Sequence, residues 1–182
     1  GLTLAAENEG VGLFNMELRA FKSLGGEIRY RTEFKSLNTS NDIITGVTLT
    51  SGEELKSKAI ILACGGFESN ATLRSKFLGL EWASAKVRGT PNNTGDGLIA
   101  AWDLGAQRYG RFSGCHATPM DYFMKDYGNL SIPHGERKNY RKICYFLGVM
   151  LNENGLRFLD EGVDFRNYTY AQFGQAILKE PG

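Results

Sequence analysis

The run Ala59-Ile60-Ile61-Leu62-Ala63, apolar at every position and cut off by Cys64-Gly65-Gly66, is the feature that most constrains this chain. An unbroken apolar run of this length suits a strand buried on both faces, as in a parallel sheet covered by helices. Paired glycines at a strand's carboxyl end let backbone approach a ligand closely, and doubly wound sheets bind their cofactors at such ends. A tight turn with no ligand explains the same residues, so the segment alone leaves both readings open.

The surroundings of this run predict mixed α and β structure. Leu13, Phe14, Met16, Leu18, Phe21 and Leu24 recur at helical spacing and predict an amphipathic helix from Val11 to Leu24, stopped by Gly25-Gly26. The alternation from Glu27 towards Leu37 predicts a strand, Asn38 to Asp42 a turn, Ile43 to Leu49 a second strand and Ser51-Gly52-Glu53 a second turn. Residues Glu54 to Lys58 lead into a third strand, so a small β-meander precedes the apolar run. Helices are expected over Asn70 to Leu78, Gly97 to Leu104 and Asn167 to Leu178, with Gly105 capping the second of these. Residues Phe112 to Tyr140 lack a clear period and predict a long loop employed in function. A strand over Cys144 to Leu151, a turn at Asn152 to Gly155 and a return over Arg157 to Leu159 predict a hairpin. The fold class read from this order is α+β or α/β.

Composition excludes several functions. A net charge of +1 over 182 residues supplies no field to hold a nucleic-acid backbone, so no nucleic-acid partner is expected. No apolar run approaches the roughly 20 residues needed to cross a bilayer, so no transmembrane segment is expected. Cys64, Cys115 and Cys144 are odd in number and widely spaced, which argues against a disulfide framework or a metal site and fits a cytoplasmic location. The chain has no G-x-S-x-G, H-E-x-x-H or P-loop to anchor a hydrolase, zincin or NTPase.

Two further units could carry chemistry. Thr94-Gly95-Asp96-Gly97 stands just before a predicted helix, where exposed amides and the positive helix end suit an anion or a polar cofactor edge. Asp96 either caps that helix or accepts a cofactor hydrogen bond. The second unit is Arg88, His116, His134, Arg137, Arg141, Arg157 and Arg166, groups that together suit an acidic substrate, although a lone Arg is more often a solvated surface residue. No G-x-G-x-x-G follows a strand, so a complete dinucleotide fingerprint is missing.

Taken in order, these pieces resemble the fumarate reductase and succinate dehydrogenase flavoprotein family over nearly the whole chain. Leu62 to Phe67 resembles the family's Ala-Thr-Gly-Gly-Phe strand end with Cys for Thr, Thr94 to Gly97 its Thr-Gly-Asp-Gly, and Gly105-Ala106 its later Gly-Ala. His116-Ala117-Thr118 is similar to its His-Pro-Thr, and Gly148 to Phe158 to its Gly-Ile-x-Val-Asn-x-x-Gly-x-Arg-Phe. One departure is that the family's Thr-Glu pair has no counterpart in Ile132 to Phe146. Within the family, Gly65 to Asn70, Lys86 to Pro91, Ser113 to His116 and Arg166 to Tyr170 resemble the tricarballylate dehydrogenase branch.

The resemblance implies FAD as cofactor, with Ala63, Cys64, Gly65, Gly66, Thr94, Gly95 and Asp96 against it. It implies that residues 1–112 are the later part of a Rossmann-like FAD-binding domain and residues 113–182 the start of a capping domain. The FAD fingerprint is then expected upstream of Gly1, and the last substrate-binding His and Arg downstream of Gly182. His116 and Arg88 would bind carboxylates of a small polycarboxylate, and Arg166 would exchange the proton, with an unidentified electron acceptor completing the cycle. An arginine base is unusual and requires nearby charge and exclusion of water to bias it. Two alternatives follow: a fragment without bound FAD and without activity of its own, or a flavin dehydrogenase of a neutral ring such as a 3-ketosteroid.

Overall fold

A computed structural model describes residues 6–181 except 139 and 143. Its elements in chain order are helix α1 (Glu9–Ser23), strands β1 (Phe34–Ser40), β2 (Ile43–Leu49) and β3 (Glu54–Lys56), and helices α2 (Ala71–Leu78), α3 (Asp96–Asp103) and α4 (Arg166–Ile177).

The α1 stop is a Schellman motif. Gly25 takes φ of 84° and donates to the Lys22 carbonyl at 3.0 Å, while the Gly26 amide donates to Phe21 at 3.0 Å. The amphipathic face is present but uncovered: no α1 residue is buried, and Phe14 and Met16 are about half exposed.

The meander forms a three-stranded antiparallel sheet in the order β1-β2-β3. Its first turn is tighter than the sequence suggests, because β1 continues to Ser40 and only Asn41 and Asp42, at φ of 50° and 61°, make the reversal. Asn and Asp tolerate the left-handed region, so two residues suffice for a hairpin loop. The expected strand from Glu27 begins only at Phe34. Arg29 instead forms a forked pair with Glu53 at 2.7 and 3.0 Å.

The largest departure is the apolar run. Residues 59–66 form no strand, and Ile61 is 91% exposed. From Ile60 to Gly66 no backbone amide donates to another described backbone group. A strand exists only by pairing, and among the described residues no strand pairs with this segment. The sheet that the sequence calls for is therefore not formed within residues 6–181. The Cys144 to Leu151 strand is absent for the same reason: Tyr145–Leu147 is a 3-10 turn and only Leu151 pairs, with Arg157.

The packed centre lies around α2 and α3. Phe67, Phe77, Trp102 and Phe112 form an aromatic cluster with centroid separations from 5.4 to 6.0 Å, and the Arg108 guanidinium covers Trp102 at 4.4 Å. Tilted and edge contacts of this kind each add about 1 kcal/mol beyond area burial.

Candidate functional site

The two glycine-bearing units meet in a lip held by short polar contacts. Asn70 caps α2, its Oδ1 accepting from the Leu73 amide at 3.1 Å, and its Nδ2 donates to the Thr94 carbonyl at 3.0 Å. The Ser69 amide donates to the Asn93 carbonyl at 2.9 Å, and the Ser69 hydroxyl bonds the Thr90 carbonyl. Gly97 is buried, and a Cβ there would stand 2.2 Å from Cys64 Sγ, so glycine at this position lets α3 lie against the segment at Leu62 and Cys64. Gly95, at φ of 90°, has Phe67 and Leu73 within 3.0 Å of the place a Cβ would occupy.

Asp96 does not cap α3. It is the first helical residue, its carboxylate accepts from the Thr94 hydroxyl at 2.6 Å, and Gly95 occupies the cap position in the left-handed conformation. Asp96 remains exposed, as do Ala63, Cys64 and Gly65. Features here suit one edge of FAD: amides without a backbone acceptor among the described residues, a left-handed Gly65 at φ of 76°, and the amino end of α3, whose Gly97 packs on Cys64. No pyrophosphate fingerprint accompanies them in the chain.

Below the lip, Arg74 is a buried cation that the sequence reading missed. Its guanidinium donates to the carbonyls of Trp82 at 2.8 Å, Ala83 at 2.9 Å and Ala85 at 3.2 Å, and also to Glu68. A cation on the same short helix as Leu73, Phe77 and Leu78 was the available signal.

The second cluster forms on α4. His116 Nδ1 lies 3.2 Å from the Tyr170 hydroxyl, with the two rings 5.0 Å apart. Arg166 is one turn before Tyr170 on the same helix face. Gly174, one turn after it, is buried, and a Cβ there would come within 2.8 Å of Ala117 and 2.9 Å of the Thr118 amide. The His116-Ala117-Thr118 segment thus lies directly on α4. Tyr145 locks the other side of the helix: its hydroxyl is 2.9 Å from Thr169 Oγ1 and its ring 4.8 Å from buried Phe173. His116 thus meets α4 at Tyr170, one turn from Arg166, whose guanidinium donates to Asn167 Oδ1 at 3.0 Å. Arg88 is exposed in the bend before Pro91 and shares no hydrogen bond with either.

Charge fixes the loops around α4. Lys142 pairs with Asp121 at 2.7 Å, and this contact, with the Phe123 amide, holds the Asp121 carboxyl below its ordinary range. The buried Glu161 carboxylate accepts from the Met150 amide and from Arg157 at 2.6 and 2.9 Å. The Met150 bond first, and Arg157 after it, hold that carboxyl low. Arg157 is thus a structural tether, and Arg137 likewise serves the Ile132 and Tyr127 carbonyls. Burial pushes the Cys115 thiol up, keeping it protonated at neutral pH beside His116. Among the described residues no cluster suits a metal ion, and no helix is long and apolar enough to cross a membrane.

An FAD binding domain model matches residues 4–182. The chain is 31% identical over 165 residues to vinyl phenol reductase from Lactiplantibacillus plantarum, covering 87% of this chain and 32% of that protein. It is 34% identical over 167 residues to 3-oxosteroid 1-dehydrogenase from Mycobacterium tuberculosis, covering 87% and 28%. The chain thus spans less than a third of the curated relatives it matches. The open conformation of a flavocytochrome c3 fumarate reductase superposes with a TM-score of 0.70 at 21% identity, over 97% of this chain and 29% of that one. That likeness gives the fold of the flavoprotein fumarate reductases, and the match along nearly the whole chain shows that it belongs to the FAD binding domain family.

Proposed function

We propose that the protein carrying this chain oxidises a C–C bond of a polycarboxylate, tricarballylate to cis-aconitate, with the hydride passing to FAD and the neighbouring proton to Arg166. The observation that supports this reading is the contact of His116 with Tyr170, which stands one turn along α4 from Arg166. FAD supplies the hydride acceptor when bound. Ala63, Cys64, Gly65, Gly66, Thr94, Gly95 and Asp96 form the lip that would hold its edge. His116 donates a hydrogen bond to a substrate carboxylate, Arg88 provides charge from the bend at Gly89, and the two orient the reacting bond towards Arg166. Residues 1–112 act as the cofactor side and 113–182 as the start of the substrate cap, with cytoplasmic residence and a separate electron acceptor. By themselves, residues 1–182 hold FAD weakly, because they lack the pyrophosphate fingerprint; flavin absorbance at full occupancy would refute this.

A second reading has specific support. The relatives include the 3-oxosteroid 1-dehydrogenase and, at 29% identity over 133 residues, 4-oxocyclohexanecarboxylate 2-dehydrogenase from Sinomonas cyclohexanicum. Both names describe oxo-substituted ring substrates, which favours a ring ketone. One experiment addresses both readings: turnover of tricarballylate, succinate and a 3-ketosteroid by the FAD-loaded protein and by its Arg166→Gln variant. We expect tricarballylate to turn over, and the variant to keep FAD while losing at least about a hundredfold in rate, the scale of a general acid or base. Turnover of the steroid alone would replace the polycarboxylate with a ring ketone, and an undiminished rate in the variant would remove Arg166 from its role.

A further inference from the structure

The polycarboxylate reading leaves Tyr170 unused, although it is the residue that touches His116. Its hydroxyl and His116 Nδ1 are 3.2 Å apart, and no other hydrogen-bond partner of that hydroxyl is present among the described residues. A neutral imidazole carries one N–H, so the partner of Nδ1 decides which nitrogen presents a donor on the other side of the ring. A phenol O–H is a good donor, while its oxygen is a poor acceptor because its lone pair is delocalised into the ring. With the Tyr170 hydroxyl donating, Nδ1 is the acceptor and Nε2 carries the proton. The opposite arrangement would leave Nε2 as a bare lone pair, which repels a carboxylate or a carbonyl oxygen.

The helix provides the means to hold this arrangement. Tyr170 sits between Arg166 and Gly174, each one turn away, and Gly174 permits the backbone at Ala117 and Thr118 to lie against α4. Thr169 and Phe173, on the adjoining face, are 2% and 4% exposed and bound to Tyr145, so α4 cannot roll without breaking that packing. His116 itself is exposed, which leaves its far ring edge open.

We propose that Tyr170 is a positioning residue that fixes His116 in the Nε2–H tautomer, so that an oxygen-bearing substrate meets a hydrogen-bond donor rather than a lone pair. This rests on the proposed role of His116 in substrate binding, and its test separates the two. The FAD-loaded protein is labelled with 15N in its histidine rings, and the Nδ1 and Nε2 shifts of His116 are read in the native protein and in Tyr170→Phe. The signal lost in His116→Gln gives the assignment. The phenylalanine keeps the ring contact and removes only the hydroxyl. We expect a dominant Nε2–H form in the native protein and a mixture of tautomers in Tyr170→Phe. In parallel, KM for tricarballylate should rise about fivefold in Tyr170→Phe, the scale of one neutral hydrogen bond, with kcat nearly unchanged. A tautomer ratio that does not respond to Tyr170→Phe overturns the proposal. So does a lost preference with unchanged KM in Tyr170→Phe when His116→Gln does raise KM. If KM is unchanged in His116→Gln as well, the substrate role of His116 fails, and the tautomer ratio alone decides the positioning role.

Discussion

The lip at residues 63–97 and the patch at residues 116–170 lie on the same chain but are held in opposite ways. The lip is a backbone structure. Its shape comes from Gly95 and Gly97 allowing close approach, and from Asn70 and Arg74 gripping carbonyls. The patch is a side-chain structure, tethered by Asp121 with Lys142 and by Glu161 with Arg157. A wall of backbone and glycine holds one shape and is insensitive to pH near neutrality. A wall of carboxylate tethers depends on its charges, and so does the position of whatever it carries.

Breaking the lip should have the largest effect. Arg74→Ala would strand four carbonyls around a buried site. We expect a loss of about 3 kcal/mol, the usual scale for removing a buried charged donor, measured by denaturant unfolding. A loss under about 1 kcal/mol would show that water replaces the guanidinium at no cost.

A smaller effect sharpens the account of close approach. Gly97→Ala should cost about 2 kcal/mol through collision with Cys64 Sγ, and Cys64→Ala in the same chain should recover more than half of it. Costs that simply add would mean that the Cys64 segment and α3 are not pressed together.

The patch should yield least, and only to acid. The Glu161 carboxyl is held low by the Met150 amide and Arg157, so its contribution is complete above the ordinary carboxylate value of about 4.3 and is lost as pH falls through the depressed folded value. Glu161→Gln should therefore flatten the fall in stability below about pH 4, in a titration monitored by thermal unfolding. An acid slope identical to that of the native chain would remove Glu161 from the tether.

Much of the fold was legible where structure is local. The α1 stop at Gly25-Gly26, the hairpin turn and the start of α2 depend on residues within a few positions of one another, and each formed where the sequence put it or within a few residues. The Ala59 to Ala63 run failed because a strand takes its existence from a hydrogen-bonded neighbour, and no strand pairs with it among the described residues. The site divides along the same line. Glycines announced the lip, since few other roles demand them in pairs. Asp96 was read as a possible cap, but Gly95 in the left-handed conformation had already taken that position. Tyr170 and Gly174 carried no chemical signal by themselves. Only the steps of four from Arg166 to Tyr170 and from Tyr170 to Gly174 marked a common face, and that spacing had meaning only once the His116 segment was seen to lie against it.

Asn70 carries a consequence of its own. One side chain both begins α2 and holds the carbonyl just ahead of α3, so neither can fray without releasing the other. The first turn of α2 and the entry to α3 therefore open as one cooperative unit, and the lip persists for as long as α2 remains wound.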